Sequence, residues 1–143
     1  TAQKIRVLLV DDHVMVRQGL RTLLDTYPDI KLVGEAANGE EAVRRVKQRR
    51  PEVVVMDINM PGINGIEATK QIKLHYPDTV IIGISVNAAR ENQEAMMRAG
   101  AVQLLTKEAA IGELQDERND KVIGGSSISI LAPCQVQKGL FPH

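Results

Sequence analysis

An open α/β fold built on a parallel sheet is what this sequence predicts. Two observations carry the prediction. Short β-rich apolar runs alternate strictly with helical patterns, five times over. One run, Val53 to Met56, is apolar throughout, as a strand buried on both faces is. The length, 143 residues, suits one domain with a real core and hardly leaves room for two.

The elements follow in order. "IRVLLV" (5–10) is a first strand that stops at Asp11-Asp12. "VRQGLRTLL" places Val16, Leu20, Leu23 and Leu24 on one helical face, and Tyr27-Pro28-Asp29 breaks it. "IKLVGEA" (30–36) is the second strand. "NGEEAVRRVKQRR" opens with Asn38 and has Glu41 three residues on, a capping-box signature, and Pro51 marks its end. "VVVMD" (53–57) is the third strand. After a Pro/Gly loop, Ile66, Thr69, Ile72 and Tyr76 form a helical stripe, and Pro77-Asp78 is the next turn. "TVIIGIS" (79–85) is the fourth strand. "AARENQEAMMRAG" is a helix closed by Gly100, with Met96-Met97 giving one core and one boundary residue. "VQLLT" (102–106) is the fifth strand, and "IGELQDERNDKVIGG" is a weaker, polar last helix. Five such units predict right-handed crossovers and the flavodoxin-like strand order 2-1-3-4-5, helices on both faces.

Composition narrows the function classes. With 18 basic and 18 acidic residues the net charge is zero, so nothing advertises a nucleic-acid or anionic-membrane surface. One Phe, two Tyr and no Trp leave no base-stacking platform. The single cysteine, Cys134, forms no internal disulfide, and no Cys/His cluster has zinc spacing. The opening apolar run is too short for a signal peptide or a membrane span. A reducing, cytoplasmic setting is the expectation.

Ligands of such sheets lie beyond the carboxyl ends of the strands, at the switch point between the first and third. Strand one ends in Asp11 and Asp12, strand three in Asp57, strand four in Ser85 and strand five in Lys107. Three carboxylates repel: at about 4 Å and an effective dielectric of about 20, each pair costs roughly 4 kcal/mol. Lys107 offsets one charge, and a divalent cation such as Mg²⁺, which accepts a few carboxylates and keeps waters, offsets more. A carboxylate beside a cation and a lysine is a plausible nucleophile toward phosphorus. Singly, each residue has a plainer reading. Asp12 can cap the first helix, Asp57 can begin an Asx-turn, Ser85 can be a structural hydroxyl and Lys107 a solvated surface lysine. His13 and His75 have no partners at ligand spacing and read as structural, and "RRVKQRR" reads as a solvated helix face. The complementary set, one member at each strand end, is what outweighs these readings.

"VLLVDDH", "VVVMDINMPGINGIE", "IIGIS" and "LLTKE" together resemble the receiver domain of two-component response regulators, over roughly residues 4 to 123. "DDHVMVRQGLRTLL" and "GEAANGEEAV" resemble more particularly the NarL/FixJ type, whose receivers usually precede a LuxR-like helix-turn-helix. The resemblance implies that Asp57 accepts a phosphoryl group from a sensor histidine kinase. It implies that Asp12 ligates Mg²⁺ directly, that Asp11 acts mostly through water, and that Asp57 and the backbone carbonyl of Asn59 complete the protein ligands. Lys107 would bind the phosphoryl group, Ser85 would move toward it, and Pro61, Gly62 and Gly65 would shape the loop. The face formed by the fourth helix, fifth strand and fifth helix is a common partner surface in the family, so a phosphorylation-dependent homodimer is one expected partner. Turnover of external substrates is not expected, only self-phosphorylation and autodephosphorylation.

The chain departs from the family pattern in places. Leu104 stands where receivers usually carry Tyr or Phe, Val86 where many have Ala, and Glu108 rather than Pro follows Lys107. The expected division is a receiver over 1–124 and a linker-like tail over 125–143 with no output domain, hence no direct DNA binding by this chain. Two competing readings are a haloacid-dehalogenase-type phosphatase and a receiver-like binding protein that is never phosphorylated. The first places its nucleophile after strand one in a DxD pattern, which this sequence lacks. The second is at odds with the intact set of site residues.

Overall fold

Every apolar run named above becomes a strand, and the strands stand in the expected order. The computed structural model describes residues 4–87 and 89–110. The elements are β1 (Ile5–Val10), α1 (Val14–Asp25), β2 (Ile30–Ala36), α2 (Gly39–Arg49), β3 (Val53–Asp57), α3 (Gly65–His75), β4 (Val80–Ser85), α4 (Arg90–Ala99) and β5 (Gln103–Thr106). The sheet order is β2-β1-β3-β4-β5, and every pairing is parallel. Register is even except between β1 and β2, where the partner of Val7 is Leu32 and that of Leu8 is Gly34. Val33 is thereby passed over, a bulge in the edge strand. Residues 107–110 are helical where the description ends. The expected last helix over 111–125, the boundary at 124 and the tail over 125–143 lie outside the described residues.

Alternation along the strands divides the core in two. Val7, Leu9, Val53, Val55, Val80, Ile82 and Ile84 face Leu20, Leu23 and Leu24 of α1. Leu8, Val10, Val54, Met56 and Ile81 face Ala42 and Val46 of α2, Ala68 and Ile72 of α3, and Met96 of α4. Period-two strands between two helix layers leave no solvated face, so all of β3 is buried. Each such fully buried aliphatic side chain is worth about 1.5–3 kcal/mol of transfer free energy. Met97, the expected boundary residue, is half exposed.

Local signals explain the helix ends that aim the loops. Asn38 Oδ1 accepts the Glu41 N–H at 2.8 Å, and Glu41 Oε1 returns to accept from Ala37 N–H at 2.7 Å, one residue earlier than the usual box. α2 ends before Pro51, at Arg50, which is left-handed (φ 48°) and lays its guanidinium 4.6 Å from the Tyr76 ring centre. Asn64 caps α3 through Glu67 N–H at 3.0 Å. Gly65 opens that helix because nothing larger fits: a Cβ there would lie 2.2 Å from the Asp57 carbonyl oxygen. The first turn of α3 therefore rests directly on the backbone at the end of β3. No helix among the described residues is long and apolar enough to cross a membrane.

Candidate functional site

The 2-1-3-4-5 order makes β1 and β3 neighbours and runs β4 and β5 on from them, so four strand ends deliver their residues to one edge. Asp11 and Asp57 are fully buried there, as is Ser85, and Lys107 is 6% exposed. Asp12 keeps part of its side chain in solvent. Lys107 leaves β5 at the first position of a helical turn, which Thr106 caps by accepting from Ala109 N–H at 2.9 Å. That cap turns the lysine back over the strand ends.

Its ammonium bridges two carboxylates. Lys107 Nζ lies 3.1 Å from Asp57 Oδ2 and 3.1 Å from Asp11 Oδ2. Asp57 Oδ1 accepts the Asn59 N–H at 3.0 Å, so the Asx-turn expected as a plainer reading exists and holds the carboxylate in place. Ser85 Oγ accepts from Asn59 Nδ2 and from Asn87 N–H, both at 3.2 Å. The Arg17 guanidinium donates to the Asp11 carbonyl and pairs with Glu35 at 3.0 Å, pinning the end of β1 between α1 and β2. Burial pushes the Asp57 carboxyl from 3.8 up to about 6. The Asn59 N–H opposes this, the Asp11 charge adds to it, and Lys107 opposes it again. Desolvation thus outweighs the ion pair.

Three readings of single residues are corrected. Lys107 is no solvated surface lysine, because β5 and its cap carry it inward. Asp12 does not cap α1: the N-cap position is His13, whose side chain makes no capping bond. Nor is His13 remote from the chemistry. Its Nδ1 lies 2.8 Å from Lys107 Nζ, 3.2 Å from Asp11 Oδ1 and 3.3 Å from Asp12 Oδ1. Ligand spacing along the chain does not find it, because Lys107 and, at 4.0 Å, Asp57 Oδ2 reach it from the ends of other strands. The signal available was its place directly after the acidic pair. His75 stays at the far end of α3, exposed, with its ring against Tyr76.

Among the described residues, Asp11, Asp12, His13 and Asp57 each present a ligand atom, all within 4.8 Å of one another. Asp11 Oδ2 and Asp12 Oδ1 are buried and receive no hydrogen bond; the lysine meets Asp11 Oδ2 as an ion pair without hydrogen-bond geometry. Buried acidic oxygens with unmet lone pairs are a donor set that suits a hard divalent cation. The cluster is therefore able to hold a metal.

Comparison with known proteins agrees with the geometry. The family model for the response regulator receiver domain matches residues 7–118. The response regulator UvrY of Escherichia coli (strain K12) is 44% identical over 110 residues, 77% of this chain and 50% of that protein. The transcriptional regulatory protein LiaR of Bacillus subtilis is 43% identical over 112 residues, 78% of this chain and 53% of LiaR. Among solved structures, the response regulator domain of Thermotoga maritima CheB superposes with a TM-score of 0.72 at 34% identity, covering 86% of this chain and 100% of that domain. The NarL signal receiver domain from Mycobacterium tuberculosis gives a TM-score of 0.78 at 25% identity, covering 96% and 99%. The chain spans about half the length of the curated relatives it matches. With a buried aspartate at the end of β3, a lysine from β5 laid against it and the family match over most of its length, this chain belongs to the response regulator receiver domains.

Proposed function

We propose that Asp57 accepts a phosphoryl group from the phosphohistidine of a sensor histidine kinase, and that the chain reads out the resulting charge as a change of conformation. The observation that carries this is the bridging lysine, 3.1 Å from both Asp11 and Asp57. It keeps a buried, otherwise repelled carboxylate ionised and in place for attack.

Asp57 has one oxygen on Asn59 N–H and the other on Lys107 Nζ, which fixes the plane of the nucleophile. The new bond forms between a carboxylate oxygen and phosphorus as the phosphorus–nitrogen bond to the donor imidazole breaks, and that electron pair leaves with the imidazole. Asp11, Asp12, Asp57 and the backbone carbonyl of Asn59 would hold Mg²⁺. The ion would supply charge neutralisation on the phosphoryl oxygens and on the acidic cluster. Lys107 answers the added negative charge, which amounts to about −1.5 to −2. Ser85 now accepts from Asn59 and Asn87; to donate to a phosphoryl oxygen it must turn, and the Asn87 backbone is freed to follow. The phosphoryl group stays on the chain until water removes it, so no external substrate is turned over.

The relatives' additional length agrees with an output domain beyond a receiver over 1–124, with 125–143 as linker, and a phosphorylation-dependent homodimer is the partner to test besides the kinase. The deciding experiment is intact mass after incubation with Mg²⁺ and acetyl phosphate or phosphoramidate. The expected result is a gain of one phosphoryl group in the parent chain and none in Asp57→Asn. Equal labelling of both would remove Asp57 from the role. No labelling of either, repeated with a phosphorylated kinase, would favour a receiver that binds without being phosphorylated.

A further inference from the structure

We propose that His13 is a metal-selecting residue: its Nδ1 ligates the divalent ion at the carboxylate cluster and moves the preference of the site from Mg²⁺ toward Mn²⁺, Ni²⁺ and Zn²⁺. The inference rests on the reading of this cluster as a cation site.

The ring is aimed at the cluster from close range. Nδ1 has Lys107 Nζ at 2.8 Å, Asp11 Oδ1 at 3.2 Å, Asp12 Oδ1 at 3.3 Å and Asp57 Oδ2 at 4.0 Å. Toward Lys107, a donor only, Nδ1 presents a lone pair with the ring proton on Nε2; toward Asp11 Oδ1, an acceptor only, it presents N–H, so the contacts admit both tautomers. A cation selects the first, and Nδ1 then stands with the three carboxylates as a fourth donor around one point. Lys107 gives up little by yielding the lone pair, because its ammonium retains Asp11 and Asp57.

Capping does not account for the place of the ring. His13 holds the N-cap position of α1, yet its side chain makes no capping bond. Its backbone is anchored instead, by an N–H donated to Asp11 Oδ1 at 2.7 Å. The side chain is half exposed, so it adjusts to an ion without disturbing the core.

Selectivity follows from donor chemistry. Carboxylate and carbonyl oxygens suit Mg²⁺, which keeps much of its water and gains little from an imidazole. Later divalent ions bind imidazole nitrogen well, and their affinity for a mixed nitrogen–oxygen site rises along the series from Mn²⁺ to Cu²⁺. An all-oxygen receiver site lacks this bias. The sequence places the imidazole directly after the acidic pair, so the same turn that aims Asp11 and Asp12 aims the nitrogen.

The test uses the full chain with His75→Gln and His143→Gln, which leaves His13 as the single imidazole of the three. Mn²⁺ is added alone, and pulsed electron paramagnetic resonance reads nitrogen coupling to the ion. Calorimetric titrations with Ni²⁺ and Mg²⁺ are run beside it. The expected result is nitrogen coupling that disappears in His13→Ala, with Ni²⁺ affinity falling about tenfold or more and Mg²⁺ affinity within about twofold. Alanine removes no cap bond, so α1 survives the change. Mn²⁺ that binds, is displaced by Mg²⁺ and shows no nitrogen coupling would overturn the role of His13 and leave the carboxylate site standing. Failure of any divalent ion to bind would overturn the cation site and this inference with it.

Discussion

Asp57 is kept where its charge is disfavoured, and two single-residue outcomes follow. Its carboxyl is raised to about 6 from an ordinary 3.8. Between those values the folded chain binds more protons than the unfolded one, so this group's contribution to stability falls as pH rises and levels off above about 6. The cost above that window is on the order of 2–3 kcal/mol. Asp57→Asn removes it and gives up one of two accepted hydrogen bonds, about 1 kcal/mol. The larger effect wins. The metal-free variant should melt higher than the parent at pH 8, by about 1–2 kcal/mol, and lose that advantage near pH 4. Thermal melts in EDTA at both pH values check this, and equal curves at pH 8 would show that the buried charge costs nothing. Lys107→Ala works in the other direction. It strips the counter-ion from two fully buried carboxylates, and breaking a buried pair costs about 3–5 kcal/mol. Mg²⁺ then does more for the variant than for the parent, since it meets an uncompensated cluster. A smaller Mg²⁺-induced rise in melting temperature in Lys107→Ala would contradict the lysine's electrostatic role.

At the level of elements, the site is precise because helix starts rest on strand ends. A Cβ at Gly65 would lie 2.2 Å from the Asp57 carbonyl oxygen and 2.6 Å from Ile58 Cα. Both are backbone atoms, which cannot turn aside. Gly65→Ala should therefore cost about 2–3 kcal/mol in urea unfolding, toward the top of the range for overpacking. It should also slow the proposed phosphoryl uptake, because relief requires the α3 start or the Asp57 peptide to move. Full uptake rates with the stability loss would mean that α3 alone yields. The strands were legible in the sequence because each is a short β-rich run bounded by acidic or Pro/Gly punctuation, even where Arg6, Lys31 and Glu35 interrupt it; β1, β2 and β3 begin and end where those runs do. Helix ends were less so. α1 starts at Val14, two residues before the apolar stripe, since Val14 and Met15, though apolar, are exposed and lie off the face that Val16, Leu20, Leu23 and Leu24 share. The end of α2 falls to a left-handed Arg50 rather than to Pro51 itself. In the site, Asp11, Asp12, Asp57, Ser85 and Lys107 were legible as strand-end residues. His13 was not, because its partners Lys107 and Asp57 are distant in sequence and their approach is a product of the strand order.

For the whole molecule the question is how a charge added at Asp57 reaches a distant face, and the packing suggests a route. In the proposed switch Ser85 leaves Asn59 and Asn87, its present partners, and the loop between β4 and α4 begins there. On the same face of β4, two residues before Ser85, Leu104 and Met96 close over Gly83: a Cβ at that glycine would lie 2.7 Å from Leu104 Cδ1 and 2.8 Å from Met96 Cε. Leu104 is 8% exposed, so β4, α4 and β5 share one tightly filled contact, at the position where the receiver pattern usually has Tyr or Phe. A leucine in that slot has no polar end to trade between core and solvent. The response must then take the form of a shift of the loop and α4 rather than a ring swinging in, a population shift between two packings. Amide hydrogen exchange with Mg²⁺ and acetyl phosphate should change most at Val86, Asn87 and Ala89 and along α4, and little in β1 and β2. Ser85→Ala should keep phosphoryl uptake and lose most of the exchange change, since in the proposed switch the hydroxyl is the link that pulls the loop. Exchange that changes evenly over the sheet, or equally in Ser85→Ala, would place the coupling elsewhere. The tight fit at Gly83 also sets what repacking tolerates. Leu104→Ala opens a void against Met96 and should cost about 2–5 kcal/mol, loosening α4 before any phosphoryl group arrives. That variant should therefore show in its resting state part of the α4 exchange that the parent shows only when phosphorylated.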